Sequence, residues 1–64
     1  MTVGDNLKRI LCEKEISAYK LAKDGRVSNS YLSEIINNEK TNPSIKIIIK
    51  ISKALNVSIN DLVG

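Results

Sequence analysis

The chain has 64 residues, with ten Lys and Arg against seven Asp and Glu, and a formal net charge of +3. We expect residues 1–64 to form a single small domain, because 42% of them are hydrophobic and no low-complexity run interrupts them. Cys12 is the sole cysteine and histidine is absent, which argues against an intrachain disulfide, a multi-thiolate zinc site and a Ser/His/Asp triad. No apolar stretch reaches about 18 residues and no signal-peptide pattern opens the chain. We therefore expect a cytoplasmic protein without a metal or cofactor.

The first predicted helix begins at Thr2 or Gly4 and ends at Lys14-Glu15. Asp5 lies near its positive end, where a carboxylate is stabilising. The apolar residues recur at the spacing of one helix face, and they are Val3, Leu7, Ile10 and Leu11. This pattern predicts a helix that packs one face on a core.

Two shorter helices are predicted next, over about 17–24 and 28–37. Ser17 and Ser28 are suitable N-caps because a serine hydroxyl can accept from the unpaired N–H groups of a helix start. Between the helices, Asp24-Gly25-Arg26 supplies a helix stop and a turn. Two helices joined by a short turn that contains glycine form a helix-turn-helix motif.

A polar linker leads to a fourth predicted helix over 45–55, capped by Ser44. Its core-facing residues are predicted to be Ile45, Ile48, Ile51, Ser52 and Leu55. Asn56 tolerates left-handed backbone and is a plausible helix stop. Ser58 and Asp61 then have the spacing of a capping box, which predicts a short fifth helix.

Three stretches of the chain resemble a known family: SAYKLAKDGRVSNSYLSEI, TNPSIKIIIKISKALNVS and INDLV. The chain resembles the lambda-repressor-like (Cro/repressor, XRE) helix-turn-helix domains over essentially its whole length. The resemblance implies an all-α fold, a compact five-helix bundle in which helices 2 and 3 form the helix-turn-helix. It also implies a dimer that binds double-stranded operator DNA with the third helix in the major groove.

The resemblance implies that four residues of the third helix contact DNA bases: Asn29, Ser30, Ser33 and Glu34. Their chemistry is suitable, since an amide can pair with adenine and a carboxylate can accept from cytosine N4. The alternative for the first three is a merely solvated helix face. For Glu34 the alternative is an ion pair with Lys40 or a contact with Asn38.

By the same resemblance, phosphate contacts fall at the start of helix 2 and in the loop after helix 3. The residues concerned are Ser17, Tyr19, Lys20, Asn37, Asn38, Lys40 and Thr41. Backbone N–H groups at the start of helix 2 would also point at a phosphate. Packing over the helix start is the alternative for Tyr19, and solvated surface is the alternative for the basic stretch of Lys20, Lys23 and Arg26.

Three departures from the family pattern bear on this site. Ala18 stands where the family usually has a DNA-contacting Gln, and Ala18 cannot make that contact. The glycine of the turn, Gly25, stands one place early, so either Arg26 adopts left-handed backbone at some cost or the turn is reset. The third helix carries Glu34 and neither Lys nor Arg, so its own charge repels DNA.

Isoleucines occupy more of the fourth helix than one core-facing stripe requires. We favour a dimer interface formed by Ile47, Ile49, Ile59, Leu62 and Val63 over the alternative, a wider core contact between helices 4 and 5. Cys12 is expected to be an ordinary half-buried thiol.

Three functional classes follow from the sequence. The leading one is a transcriptional regulator, a repressor that binds a two-fold operator as a homodimer with half-sites about 34 Å apart. The others are an antitoxin-like module that binds a protein partner, and an adaptor that has lost DNA binding. Enzyme activity is not expected, because no nucleophile–base pair is visible. Whether a further C-terminal domain follows is left open.

Overall fold

The computed structural model describes residues 2–64, which form five α-helices and no strand. The helices are α1 (Val3–Lys14), α2 (Ala18–Gly25), α3 (Asn29–Ile36), α4 (Ile45–Leu55) and α5 (Ile59–Val63). Their Cα atoms fit within 21 × 21 × 20 Å. The all-α, five-helix architecture predicted from the sequence is confirmed.

A hydroxyl side chain caps the start of every one of these helices. Thr2 accepts from the Asp5 N–H at 3.0 Å, and serines at positions 17, 28, 44 and 58 accept in the same way three residues on. At α5 the Asp61 carboxylate also accepts from the Ser58 N–H at 3.1 Å, which completes the predicted capping box. These caps pair N–H groups that a helix start otherwise leaves unpaired, so they fix where each helix begins.

Three helices end on a non-glycine residue with left-handed backbone. Glu15, Arg26 and Asn56 have φ values of 54°, 55° and 57°, and the N–H of each bonds to carbonyls of the preceding turn. The sequence anticipated this conformation at Arg26 and Asn56, whereas Glu15 carries no comparable signal. Gly25 is the last helical residue of α2 and does not itself have positive φ.

The core is aliphatic, and all five helices contribute to it. The side chains less than 2% exposed are Leu7, Leu21, Leu32, Ile35, Ile51 and Leu62. Burial of one such side chain stabilises the fold by about 1.5–3 kcal/mol. Helix α1 packs on α3 and α5, α2 packs on α3 and α4, and α4 packs on α5. Helix α3 is thereby held from two sides, while its remaining surface faces outward.

Three expected placements are wrong. Ile45, predicted to face the core, is 58% exposed, because it is the first residue of α4 and lies beyond the core that Ile48 enters. Leu62, predicted at a dimer interface, is 0% exposed. It fastens α5 to the bundle, and the Asn6 side-chain amide donates to its carbonyl at 2.8 Å. Cys12 is exposed, not half-buried.

Candidate nucleic-acid interface

Helices α2 and α3 meet at a corner that their own residues fill. Val27 is buried there, and its N–H donates to the Ala22 carbonyl at 3.0 Å. Ala22 is also buried, and its small side chain lets α3 cross α2 closely. A Cβ on Gly25 would lie 3.5 Å from the Ala54 Cβ, which is ordinary contact. The contacts at this corner therefore fix the angle between α2 and α3.

Helix α3 separates its apolar and polar residues onto different faces. Leu32 and Ile35 are buried at its inner face. Three of the residues predicted to contact bases lie on the exposed face: Asn29, Ser30 and Ser33. The fourth, Glu34, is half-buried. The fold thus presents a polar surface on a helix whose position the core determines.

The Glu34 side chain is paired within the protein. Its carboxylate lies 3.8 Å from the Lys40 Nζ, and that ammonium lies 5.2 Å from the centroid of the Tyr31 ring. The Glu34 carbonyl also accepts from the N–H groups of Glu39 and Lys40, at 2.8 and 3.0 Å, so the chain folds back over the last turn of α3. Of the two partners predicted for Glu34, the structure shows Lys40.

Asn38, predicted to contact a phosphate, is bonded to α1. It has left-handed backbone, with φ 62°. Its Oδ1 accepts from the Thr2 hydroxyl at 2.6 Å, and its Nδ2 donates to the Asp5 carboxylate at 3.2 Å. Both ends of the amide are therefore used in joining α3 to α1. The turn after α3 aims this side chain at the start of α1, and its phosphate contact stays a prediction.

The same contact affects the titration of Asp5. The hydrogen bond from Asn38 and those from the Thr2 cap lower the pKa of Asp5 from its ordinary value of 3.8. Such donors stabilise the charged form of a carboxyl group. The charge of Lys8 acts in the same direction. Asp5 consequently remains a carboxylate at the positive end of α1, where the helix dipole favours it.

The start of α2 presents three of the residues predicted to contact phosphates. The Ser17 hydroxyl accepts from the Lys20 N–H at 3.1 Å and so forms the cap. Tyr19 is 68% exposed, so most of its side chain is accessible at this helix start. The Lys20 ammonium lies 3.4 Å from the Asp24 carboxylate, one turn along the same exposed surface.

The segment after α3 presents the remaining residues that were predicted to contact phosphates. Asn37 is exposed and its side-chain amide donates to the Ser33 hydroxyl at 3.3 Å, which joins the predicted phosphate and base contacts. Thr41 is exposed, and Lys40 is held at Glu34. These residues and the exposed face of α3 therefore belong to one stretch of surface.

Other features of the described residues do not involve the predicted site residues directly. A shallow cleft of about 330 Å³ between α2 and α4 is lined by Asp24, Gly25, Arg26, Lys50, Lys53 and Ala54, none of which is a predicted site residue. Within residues 2–64 no group of three or more His, Cys, Asp or Glu side chains could hold a metal ion. No helix in that range is long and apolar enough to cross a membrane.

The order and packing of the helices agree with a known family. A family model described as helix-turn-helix matches residues 7–62, which include all of α2, α3 and α4. The chain belongs to the lambda-repressor-like helix-turn-helix family.

Curated members of the helix-turn-helix family are similar to most or all of the chain. The transcriptional regulator SinR of Bacillus licheniformis is 41% identical over 62 residues, which are 97% of this chain and 56% of that protein. SinR of Bacillus subtilis (strain 168) is 42% identical over 60 residues, 94% of this chain and 54% of that protein. An immunity repressor protein of Bacillus phage phi105 is 33% identical over 64 residues, 100% of this chain and 44% of that protein. The chain spans about half the length of these relatives.

Two solved structures have the same helix-turn-helix fold. The N-terminal DNA-binding domain of Bacillus subtilis SinR superposes with a TM-score of 0.88 at 42% identity, covering 94% of this chain and 87% of that one. A crystal structure of SinR, the master regulator for biofilm formation, in complex with DNA gives the same TM-score and identity, covering 94% and 95%. The expected lambda-repressor-like bundle is confirmed.

Sequence reasoning missed one structural support of the helix-turn-helix, the contact of Thr2 and Asp5 with Asn38. The partners are 36 and 33 residues apart, so no local pattern connects them. Gly4 is the one sign in the sequence, because a side chain there would collide with the Ile35 carbonyl. A glycine near the start of a helix does not by itself reveal which segment it approaches.

Proposed function

We propose that this chain binds duplex DNA in a sequence-specific manner and regulates transcription as a repressor, in the cytoplasm. The observation that carries the proposal is the polar, exposed face of α3 on a helix locked into the core by Leu32 and Ile35. The likeness to SinR in complex with DNA, at a TM-score of 0.88, supports it.

In this proposal α3 enters the major groove. Asn29, Ser30, Ser33 and Glu34 meet base edges, where amide, hydroxyl and carboxylate groups can distinguish base pairs. The start of α2 and the segment after α3 lie along the phosphates. There we assign phosphate contacts to Ser17, Tyr19, Lys20, Asn37 and Thr41.

We further propose that the chain binds a two-fold operator as a homodimer. Half-sites one helical turn apart require about 34 Å between the α3 helices of the two protomers. The bundle measures 21 × 21 × 20 Å between Cα atoms, so two protomers in contact can meet that spacing. Ile59 and Val63 are exposed and one turn apart on α5, which suits an interface, and half-buried Ile49 can extend it. Half-buried Ile47, which packs partly against the core, can lie at its edge, whereas Leu62 is buried and does not belong to it.

A titration against DNA fragments, including the region upstream of the chain's own gene, tests the proposal at two salt concentrations. We expect saturable binding to particular fragments at moderate salt. Asn29→Ala and Ser33→Ala should reduce the preference between fragments, and Lys20→Ala should weaken binding to all of them alike. Lys8→Ala, on the exposed side of α1, is the control. Weak, salt-sensitive binding with no preference would contradict the proposal.

One observation favours a second candidate, an antitoxin-like or adaptor module that binds a protein. Helix α3 contains no Lys or Arg, and Glu34 is its sole charged residue. For an adaptor that has lost DNA binding, the same titration gives no fragment preference at either salt concentration; an antitoxin-like module keeps a preference for its own upstream region. Substitution of exposed Ile45 by Ser would then weaken binding of a protein partner and leave DNA binding unaffected.

A further inference from the structure

Lys40 occupies an unusual position for a lysine expected to contact a phosphate. Its ammonium lies between the Glu34 carboxylate, at 3.8 Å, and the face of the Tyr31 ring, at 5.2 Å from the centroid. Its backbone N–H is bonded to the Glu34 carbonyl at 3.0 Å. Lys40 is therefore attached to the last turn of α3 by main chain and side chain together.

The negative charge of Glu34 would be repelled by DNA phosphates, and the nearby Lys40 ammonium offsets that charge. It is the one charged residue of α3, and a bare carboxylate close to the groove is repelled by the phosphates on both sides. An ammonium at 3.8 Å offsets that charge while leaving the carboxylate able to accept a hydrogen bond. Both side chains are 43% exposed, so neither is lost to the core.

We infer that Lys40 is a positioning residue for Glu34, holding its carboxylate in place and neutralising it so that it can accept from the N4 amino group of a cytosine. This inference rests on the proposed function and adds a specificity to it, a C·G base pair beneath Glu34. Tyr31 contributes by holding the ammonium over its ring, a favourable arrangement for a cation. The phosphate role expected for Lys40 becomes secondary.

A double-mutant cycle on the unsubstituted 64-residue chain tests the assignment. The chain first selects a preferred duplex from a random pool. Its affinity is then measured for that duplex and for a second duplex, in which the C·G pair assigned to Glu34 is changed to T·A. The variants are Glu34→Gln, Lys40→Gln and both together. Lys20→Gln, alone and with Glu34→Gln, is the matched control, because Lys20 pairs with Asp24 and not with Glu34.

We expect Lys40→Gln to weaken binding to the preferred duplex about tenfold, but about threefold or less in the Glu34→Gln background, because contacting residues couple. Both single changes should reduce the preference for C·G over T·A, since a good base contact discriminates by about fivefold or more. Lys20→Gln should weaken binding to both duplexes equally and to the same extent in either background. Melting followed by circular dichroism should show that all variants remain folded.

Two results would overturn the inference. If the unsubstituted chain selects a duplex but Lys40→Gln costs the same with and without Glu34, or leaves the C·G preference intact, Lys40 is an ordinary phosphate contact and the proposed function stands. If the unsubstituted chain selects no duplex at all, the proposed function fails, and this inference fails with it.

Discussion

Gly4, in the first turn of α1, packs directly on the backbone carbonyl of Ile35 near the end of α3. A Cβ on Gly4 would collide with that oxygen and lie 2.7 Å from the Asn38 Oδ1. Alanine is normally favoured over glycine in a helix by about 1 kcal/mol. The close approach of the two helices, not a turn, therefore explains the glycine.

Gly4→Ala should lower the free energy of unfolding by about 1–3 kcal/mol, because the α3 backbone must move to admit the methyl group. Gly25→Ala is the matched control. Its Cβ would meet Ala54 at 3.5 Å without a clash, so the change should stabilise the chain by roughly 0.5 kcal/mol. Urea unfolding followed by circular dichroism measures both. A Gly4→Ala chain as stable as the unsubstituted one would show that α1 does not pack on α3 in this way.

The helix boundaries could be predicted because their signals are local. Ser17, Ser28 and Ser44 each precede a segment with helically spaced apolar residues, and each forms a cap in the structure. The packing of Gly4 could not be predicted, since the residues that close it off lie more than thirty positions away. Local chemistry fixes where helices begin, and tertiary packing decides which residues they meet.

Arg26 ends α2 in left-handed backbone, which disfavours any residue with a Cβ. We expect Arg26→Gly to stabilise the chain by up to about 1 kcal/mol, because glycine adopts this conformation without steric strain. Arg26→Ala removes the same charge and keeps the Cβ, so it should not stabilise. Thermal unfolding of the three proteins separates the two effects. A gain in the alanine variant equal to that in the glycine variant would assign the effect to charge.

The lowered pKa of Asp5 predicts a loss of stability in acid. Between the folded pKa and the ordinary value of 3.8 the unfolded chain binds more protons than the folded one, so the free energy of unfolding falls as the pH drops through this window. Above this pH window the stabilisation by the ionised Asp5 carboxylate is complete. Asn38→Gly removes the largest cause of the shift and suits the left-handed backbone, so it should flatten the acid loss between about pH 5 and about pH 2.

Urea unfolding at a series of pH values measures this slope. Asn56→Gly is the control, since Asn56 also has left-handed backbone but caps α4 far along the chain from Asp5. Its pH dependence should match that of the unsubstituted chain. An unchanged acid slope in Asn38→Gly would show that another group causes the loss.

The exposed face of α3 follows from helical periodicity, whereas its ion pair does not. Leu32 and Ile35 recur at core spacing, so the outward position of Ser33 could be predicted. The choice of Lys40 over Asn38 as the partner of Glu34 depends on how the following turn folds back. Periodicity does not describe a segment without regular structure.

Neighbouring residues Leu62 and Val63 provide the sharpest test of where the core ends and the proposed dimer interface begins. Both are apolar and adjacent in a five-residue helix, so sequence could not separate them, yet Leu62 is 0% exposed and Val63 is 46% exposed. Leu62→Ala should lower the free energy of unfolding by about 2–5 kcal/mol through the cavity it leaves. Val63→Ser, combined with Ile59→Ser, should change the stability of the monomer by no more than about 0.5 kcal/mol per site.

The substitutions at Ile59 and Val63, which should hardly change monomer stability, should instead abolish self-association of the chain. Sedimentation over a range of concentrations should show dimers of the unsubstituted chain and monomers of the Ile59→Ser, Val63→Ser variant, because serine removes the apolar contact. Ile45→Ser is the matched control, an equally apolar and more exposed residue at the far end of α4, and it should leave the dimer intact. Dimers that persist in the double variant would place the interface elsewhere. An unsubstituted chain that stays monomeric at every concentration would rule out a homodimer formed by these residues alone.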